Sequence, residues 1–417
     1  MKASAAAAAE IAVVEVVMNR KRREFLSGTA VAATLAAAHP LLAQTGAAGN
    51  PVTAKPPAPK AASASPAEYV APAEIKKIEF NSLRDLDGEA QKVLPPIAFR
   101  YISNAAGDQW TRRENELAYK RITITPRYLT GHTDTDTKIT LLGAPIAMPV
   151  IVSVMGGHGL AHATAEAGTA QGAHAAGTLF TAGSQSTLSM EQIAQATPGP
   201  KWFQIYMPAD AGKAKELLQR AKAAGFLAVV LTIDSVGGAE TQAGRRTTFP
   251  AIPIGNFPGE TSDARPAFKS NIGWDDVTFI QKTAGLPVIL KGVLSPEMAT
   301  LAVEHGCGGI QVSNHGGRSL DDVPATITAL PHIAEAVRGR IPIVVDGGIR
   351  RGQDVFKALA LGANAVGLGR PIMYSLALGG WMAVQQTLEQ INGELQAAMR
   401  HTGLRNIGEI SKKSINV

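Results

Sequence analysis

Cysteine is all but missing. One residue, Cys307, in 417 excludes an intrachain disulfide, so passage through an oxidising compartment would leave no covalent trace, and the lack of one does not argue against export. Metal-ligand clusters are missing too. His158 and His162 lie four apart on what reads as the start of a helix, and that is the reading adopted for them. A formal net charge of +6, spread along the chain, is too mild and too unclustered for nucleic-acid binding. The small-residue apolar stretch 27–43 is too short to sit comfortably as a spanning helix, so no integral span is expected once it is removed. No internal repeat stands out beyond a βα periodicity.

The beginning of the chain is of a different kind from the rest. Arg20-Lys21-Arg22-Arg23-Glu24-Phe25-Leu26 leads into stretch 27–43, which has no acidic residue. A basic run, adjacent arginines and a short apolar stretch read as a twin-arginine export signal over 1–43, with cleavage after Ala43 or Ala47 and a periplasmic or exported destination. A basic amphipathic helix is the weaker reading, because the Ala/Gly/Thr spacing gives no polar face. Met18 stands where such a signal would begin, so 1–17 is read as an overextended start. Removing 1–43 takes away five Lys/Arg and three Asp/Glu and lowers the charge to about +4. Residues 44–73, rich in Ala, Pro, Ser and Gly, bury too little to offset ordering and read as a disordered tether. Residues 74–417 suit one large α/β domain.

In that domain eight apolar, β-rich runs recur at 149–156, 177–184, 201–207, 227–234, 287–293, 308–316, 342–349 and 365–371, each followed by a helix-like stretch. Continuous apolar strands belong to a parallel sheet covered on both faces, and eight βα units closing on themselves make a (β/α)8 TIM barrel. An N-terminal helical cap and an insertion, or lid, after strand 4 complete the expected architecture. Polar residues gather at the C-terminal ends of the runs: Gln204 and Tyr206, Thr232 and Asp234, Lys291, Ser313 and His315, Asp346, then Gly369 and Arg370. Scattered polar residues would have appeared at both ends, and the C-terminal ends are where such barrels do chemistry.

The loop Ser313-Asn314-His315-Gly316-Gly317-Arg318 joins an imidazole to a guanidinium three residues on. Oxidation of a 2-hydroxy acid needs that pair: a proton acceptor and a fork for the anionic end. Taken alone, the same loop is equally well a polar βα turn with a helix-starting asparagine. After strands 7 and 8, Asp346-Gly347-Gly348-Ile349-Arg350 and Gly369-Arg370 supply close-approaching backbone N–H groups and charge, which suits any phosphorylated ligand.

The motifs Leu290-Lys291-Gly292-Val293, Val312 to Arg318, Asp346-Gly347-Gly348-Ile349-Arg350-Arg351-Gly352 and Gly367-Leu368-Gly369-Arg370-Pro371, with Trp202-Phe203-Gln204-Ile205-Tyr206 and Ala106-Gly107-Asp108-Gln109-Trp110-Thr111, resemble the FMN-dependent 2-hydroxy acid dehydrogenases and oxidases, the glycolate and lactate oxidase group. The resemblance runs from about Phe80 to the C-terminus. Gly157-His158-Gly159-Leu160-Ala161-His162 and Leu378-Gly379-Gly380-Trp381 lean towards its lactate oxidase branch.

The resemblance implies FMN as the cofactor, with its phosphate at Asp346, Gly347, Gly348, Arg350, Gly369 and Arg370. It implies Lys291 beside the flavin pyrimidine, Gln204, Thr232 and Ser313 on the flavin edge, and Gly156 approaching the ring through its backbone. His315 becomes the proton acceptor, Asp234 the carboxylate that orients it, and Tyr101, Tyr206 and Arg318 the substrate contacts. Packing alone would also account for Tyr101 on a cap helix. Oxygen, or a quinone or cytochrome, is the implied electron acceptor, and a homotetramer the implied assembly.

Four departures from the family pattern concern the substrate and flavin side. Thr241 stands where a second substrate arginine is usual, with Arg245 and Arg246 close by; Gly183 replaces a serine; Gln185 replaces an aromatic residue; and Val154-Met155-Gly156 replaces Pro-x-Ala. A lactate-like acid is therefore less firmly implied than the oxidation itself. The other reading is a flavin-binding barrel with an altered substrate or an accessory, non-catalytic role. Thr241 favours it, and the set His315, Asp234, Lys291 and Arg318 argues against it.

Overall fold

A computed structural model describes residues 69–235, 250–262 and 266–417. The twin-arginine signal expected over 1–43 falls outside these residues. So do Thr241, Arg245 and Arg246.

Among the described residues three helices precede the barrel: α1 (Asp85–Val93), α2 (Pro96–Ser103) and α3 (Trp110–Lys120). Pro96 opens α2 at a position whose N–H would have no helical partner, so the helix loses nothing by it. The expected tether ends earlier than 73. Tyr69 donates to the Leu160 carbonyl and the Ala163 N–H to the Pro72 carbonyl, so 69–73 already lies against the domain.

The barrel follows as eight βα units: β1 (Val150–Val152), α4 (Ala165–Ala175), β2 (Phe180–Gly183), α5 (Met190–Ala196), β3 (Lys201–Ile205), α6 (Ala211–Ala223), β4 (Val229–Thr232), α7 (Trp274–Ala284), β5 (Val288–Val293), α8 (Pro296–Glu304), β6 (Gly309–Val312), α9 (Thr326–Val337), β7 (Ile343–Asp346), α10 (Gly352–Ala360), β8 (Ala365–Leu368) and α11 (Arg370–Thr402). The strands are parallel and close in chain order, β8 pairing with β1 through Val366 and Val150. Among the described residues no helix is long and apolar enough to cross a membrane.

Side chains alternate across each strand, and this places the chemistry. Outward residues such as Val150, Phe203, Leu231, Leu290, Val312 and Val345 pack under the helices. Inward residues change character along the strand. At the N-terminal end Ile151, Trp202, Val230, Ile289 and Val344 form a separate apolar cluster, sealed by Leu141, Ala144 and Ile146 of a two-stranded hairpin. Two residues further along, the same inward positions hold Ser153, Gln204, Thr232, Lys291 and Asp346, all buried. The barrel is thus dry at one end and polar at the other. The β4–α7 connection is long, and its described part is anchored by buried Ile252, Ile254 and Phe257.

Candidate active site

The loop after β6 makes a short turn over His315–Gly317, and His315 itself takes a left-handed backbone, φ +57°. That conformation costs a side-chain-bearing residue about 1–2 kcal/mol and persists where neighbours fix it. Here Ser313 Oγ accepts the His315 N–H at 3.1 Å, and Asn314 exchanges two 2.8 Å hydrogen bonds with Asn115 of α3. The cap therefore clamps the loop that carries the imidazole.

His315 Nδ1 lies 2.8 Å from Asp234 Oδ1, so Nδ1–H donates and Nε2 is left as the free lone pair, 3.5 Å from the Tyr206 hydroxyl. Asp234 comes this close because β5 bulges between Lys291 and Val293. Gly292 fills the bulge at φ +112°, and a Cβ there would stand 2.8 Å from that of Asp234. Burial raises the Asp234 pKa, but Lys291 and His315 outweigh it and draw the carboxyl down to about 2. Burial, then Lys291, holds His315 below the ordinary imidazole value in spite of Asp234. At neutral pH the pair is a carboxylate beside a neutral imidazole. Burial also works against the Lys291 ammonium, yet Asp234 and Asp346 keep its pKa above the usual range.

Behind Lys291 lies a closed polar network. Lys291 donates to Ser313 Oγ at 3.0 Å, and Ser313 donates to Asp346 Oδ1 at 2.7 Å. Asp346 Oδ2 accepts from Gln311 at 2.7 Å and Ser153 at 3.2 Å. A buried carboxyl group with three donors is held in place.

A cavity of about 1050 Å³ lies at the C-terminal mouth of the barrel. Of the residues singled out in the sequence, Gly156, Gln204, Thr232, Lys291, Tyr101, Tyr206, His315, Arg318, Asp346, Gly347, Gly348, Arg350, Gly369 and Arg370 all line it. Asp234 and Ser313 do not. Asp234 stands behind His315, and the Ser313 hydroxyl, taken up by Lys291, Asp346 and His315, faces the interior network rather than the cavity. Tyr101 sits on α2 with the Arg318 guanidinium 4.9 Å from its ring centre. Arg318 spends Nη1 on the carbonyls of Tyr101, Ile102 and Asn104; its Nε and Nη2 make no hydrogen bond among the described residues.

The far end of the cavity is basic. Arg112, Arg350 and Arg370 line it with Gly347, Gly348 and Gly369. Arg370, the first residue of α11, bonds to three backbone carbonyls, and among the described residues no carboxylate pairs with it. Burial, then the like charges of Arg318 and Arg112, pushes its pKa down to about 9. Repelled guanidinium groups at a helix N-terminus call for an anion. Gly348 keeps the wall thin: a Cβ there would fall 2.0 Å from the Asn115 carbonyl oxygen. A phosphate at this end, with a polar ring reaching towards Gln204, Thr232 and Lys291, suits the donor set.

Several contributors escaped the sequence reading. Gln311 and Ser153 carried a signal, since each is a polar residue in inward phase on an apolar strand. Asn115, Arg112 and Glu166 carried none. The buried Glu166 carboxylate accepts the N–H groups of His158, Thr187 and Leu188, tying together the loops after β1 and β2.

The model of the FMN-dependent dehydrogenase family matches residues 90–417. An L-lactate oxidase from Lactobacillus jensenii is 40% identical over 350 residues, 81% of this chain and 86% of its own length. A glycolate oxidase from Spinacia oleracea is 39% identical over 354 residues, covering 81% and 96%. Among solved structures, a putative lactate oxidase from Pediococcus acidilactici superposes with a TM-score of 0.79 at 37% identity, covering 83% of this chain and 97% of that one. A mandelate oxidase gives 0.74 at 37%, covering 81% and 98%. The closed barrel agrees with these likenesses, and the chain belongs to the FMN-dependent dehydrogenase family, as an FMN flavoenzyme of the 2-hydroxy acid oxidase group.

Proposed function

We propose that the protein oxidises an L-2-hydroxy acid to its 2-oxo acid with His315 as proton acceptor. The observation that carries this is the 2.8 Å Asp234–His315 pair, which leaves Nε2 towards a cavity that also holds Arg318. The lactate, glycolate and mandelate oxidases among its relatives support the substrate class.

The Arg318 fork, stacked on Tyr101, holds the carboxylate, and the Tyr206 hydroxyl steadies the substrate oxygen beside Nε2. As the hydroxyl O–H breaks, its proton passes to Nε2, and the ionised Asp234 stabilises the imidazolium that forms. FMN, when bound, would accept the α-hydrogen together with the two electrons of the breaking C–H bond, and oxygen or a respiratory quinone or cytochrome would take the electrons onward. Lys291, kept charged by two carboxylates, supplies fixed positive charge at the cavity wall.

Anaerobic mixing with a panel of 2-hydroxy acids, followed by flavin bleaching, tests the reaction. Flavin that stays oxidised with every member rejects it. Re-oxidation of the bleached enzyme by oxygen or by a quinone then separates oxidase from dehydrogenase.

The adjacent Arg22 and Arg23 ahead of stretch 27–43 support export of the folded holoenzyme by the twin-arginine route. Arg22→Lys with Arg23→Lys keeps the charge but not the paired guanidinium groups, and should leave active enzyme in the cytoplasm. Normal export of that variant rejects the route.

A further inference from the structure

Among the described residues four carboxamides line the cavity: Asn104, Asn115, Gln185 and Gln204. Three are used within the protein. Asn104 accepts from the Ala105 N–H, Asn115 pairs with Asn314, and Gln204 bridges Thr232 and the Ser184 N–H. Gln185 alone makes no side-chain hydrogen bond among the described residues. An amide left over in this way is either wasted or meant for a ligand, because a ligand that covers it without pairing loses its hydration for nothing.

The backbone around Gln185 is held firmly. Ser186 Oγ accepts the Gly183 N–H at 3.1 Å, and Asn256 donates to the Gly183 carbonyl at 3.2 Å. Glu166 takes the N–H groups of Thr187 and Leu188, at 2.9 and 3.1 Å. Ser184 Oγ accepts the N–H of Tyr206, so the same loop is fastened to a residue beside His315. On its other flank Gly156 passes so close that a Cβ there would stand 3.3 Å from the Gln185 carbonyl. A free amide on a fixed pedestal is preorganised for recognition. The cavity wall reached from the β4–α7 connection carries Phe268, 5.7 Å from the Tyr206 ring, beside Ser262, Lys269 and Ile272.

We propose that Gln185 is a specificity determinant, and that the substrate is a 2-hydroxy acid whose side chain carries a hydrogen-bonding group such as a hydroxyl or an amide. This rests on the oxidation reading above and narrows it. Simple alkyl members such as lactate leave the amide unpaired and are the poorer substrates.

Isosteric pairs of L-2-hydroxy acids test it in the holoenzyme: glycerate against 2-hydroxybutyrate, and malamate against 2-hydroxyisocaproate. The polar member of at least one pair should show kcat/KM about ten- to a hundredfold higher, and Gln185→Leu should abolish or invert that ratio while the flavin stays bound. Binding of the corresponding 2-oxo acids, read from the perturbed flavin spectrum, should follow the same order. A preference for the apolar members, a preference that survives Gln185→Leu, or a variant that alters only FMN affinity overturns the proposal; in the last case Gln185 serves the cofactor. Should all four acids leave the flavin oxidised, the reaction assignment fails, and the 2-oxo acid titration still decides whether Gln185 reads a polar group.

Discussion

The Lys291 ammonium lies 3.8 Å from Asp234 Oδ2 on one side, and on the other one hydroxyl, that of Ser313, separates it from Asp346. One cation thus serves the carboxylate that orients His315 and the carboxylate of the interior network. Opposed influences of Asp234 and Lys291 on the imidazole follow from that position, and the net effect is a neutral base.

His315→Ala should retain FMN and lose substrate-driven flavin reduction by roughly 10²–10⁴-fold, the usual weight of a general base. Stopped-flow reduction beside the visible spectrum of the variant checks it. Near-normal reduction would remove His315 from the proposed role.

Reduction should fall on an acid limb that lies below the ordinary imidazole value of about 6.5, because the His315 pKa is depressed by burial and by Lys291, and only the neutral ring accepts a proton. Lys291→Met removes one depressing charge, so the acid limb should move towards alkaline pH. A pH profile of kcat/KM for both proteins reads the shift. An unmoved limb would mean that Lys291 does not govern the imidazole.

Gln311→Leu takes the 2.7 Å donor from Asp346 inside the barrel. Loss of a hydrogen bond to a buried charge costs ~1.5–3 kcal/mol, which chemical denaturation of the holoenzyme should register. Unchanged stability would show that Ser153 and Ser313 suffice to hold the carboxylate.

Gly348→Ala should prevent formation of yellow holoprotein. The residue sits at φ +80°, and the added Cβ would collide with the Asn115 carbonyl, displacing α3 from the phosphate end. Flavin content after purification measures it; a normal yield of FMN-loaded protein would show that α3 can yield.

The eight strands were legible because their signal is local: a short apolar run, a polar residue at its end, a helix-like stretch after it. His315 and Arg318 were legible as a pair because they share one turn. The glycine loops read by themselves as a phosphate site, which the family resemblance narrowed to FMN; the roles of Lys291 and Asp234 came with that resemblance, since nothing in Leu290-Lys291-Gly292 itself names a neighbour. The extent of the tether was misjudged at its end, because Ala- and Pro-rich composition does not report that Tyr69 has a carbonyl to meet on Leu160.

By itself the sequence determined the barrel, its polar end and the residue types that end presents, through alternation and turn chemistry that act within a few residues. Tertiary structure alone decided partners. Closure and strand register brought Gln311 to Ser153, 158 residues away, and turned the Ser313 hydroxyl inward to Asp346. The cap drew the Nη1 of Arg318 onto carbonyls more than two hundred residues earlier in the chain, and closure left Gln185 without a side-chain partner among the described residues. Hydrogen bonds in a barrel join strands at positions set by its closure as a whole, and no local pattern encodes which atoms will meet there.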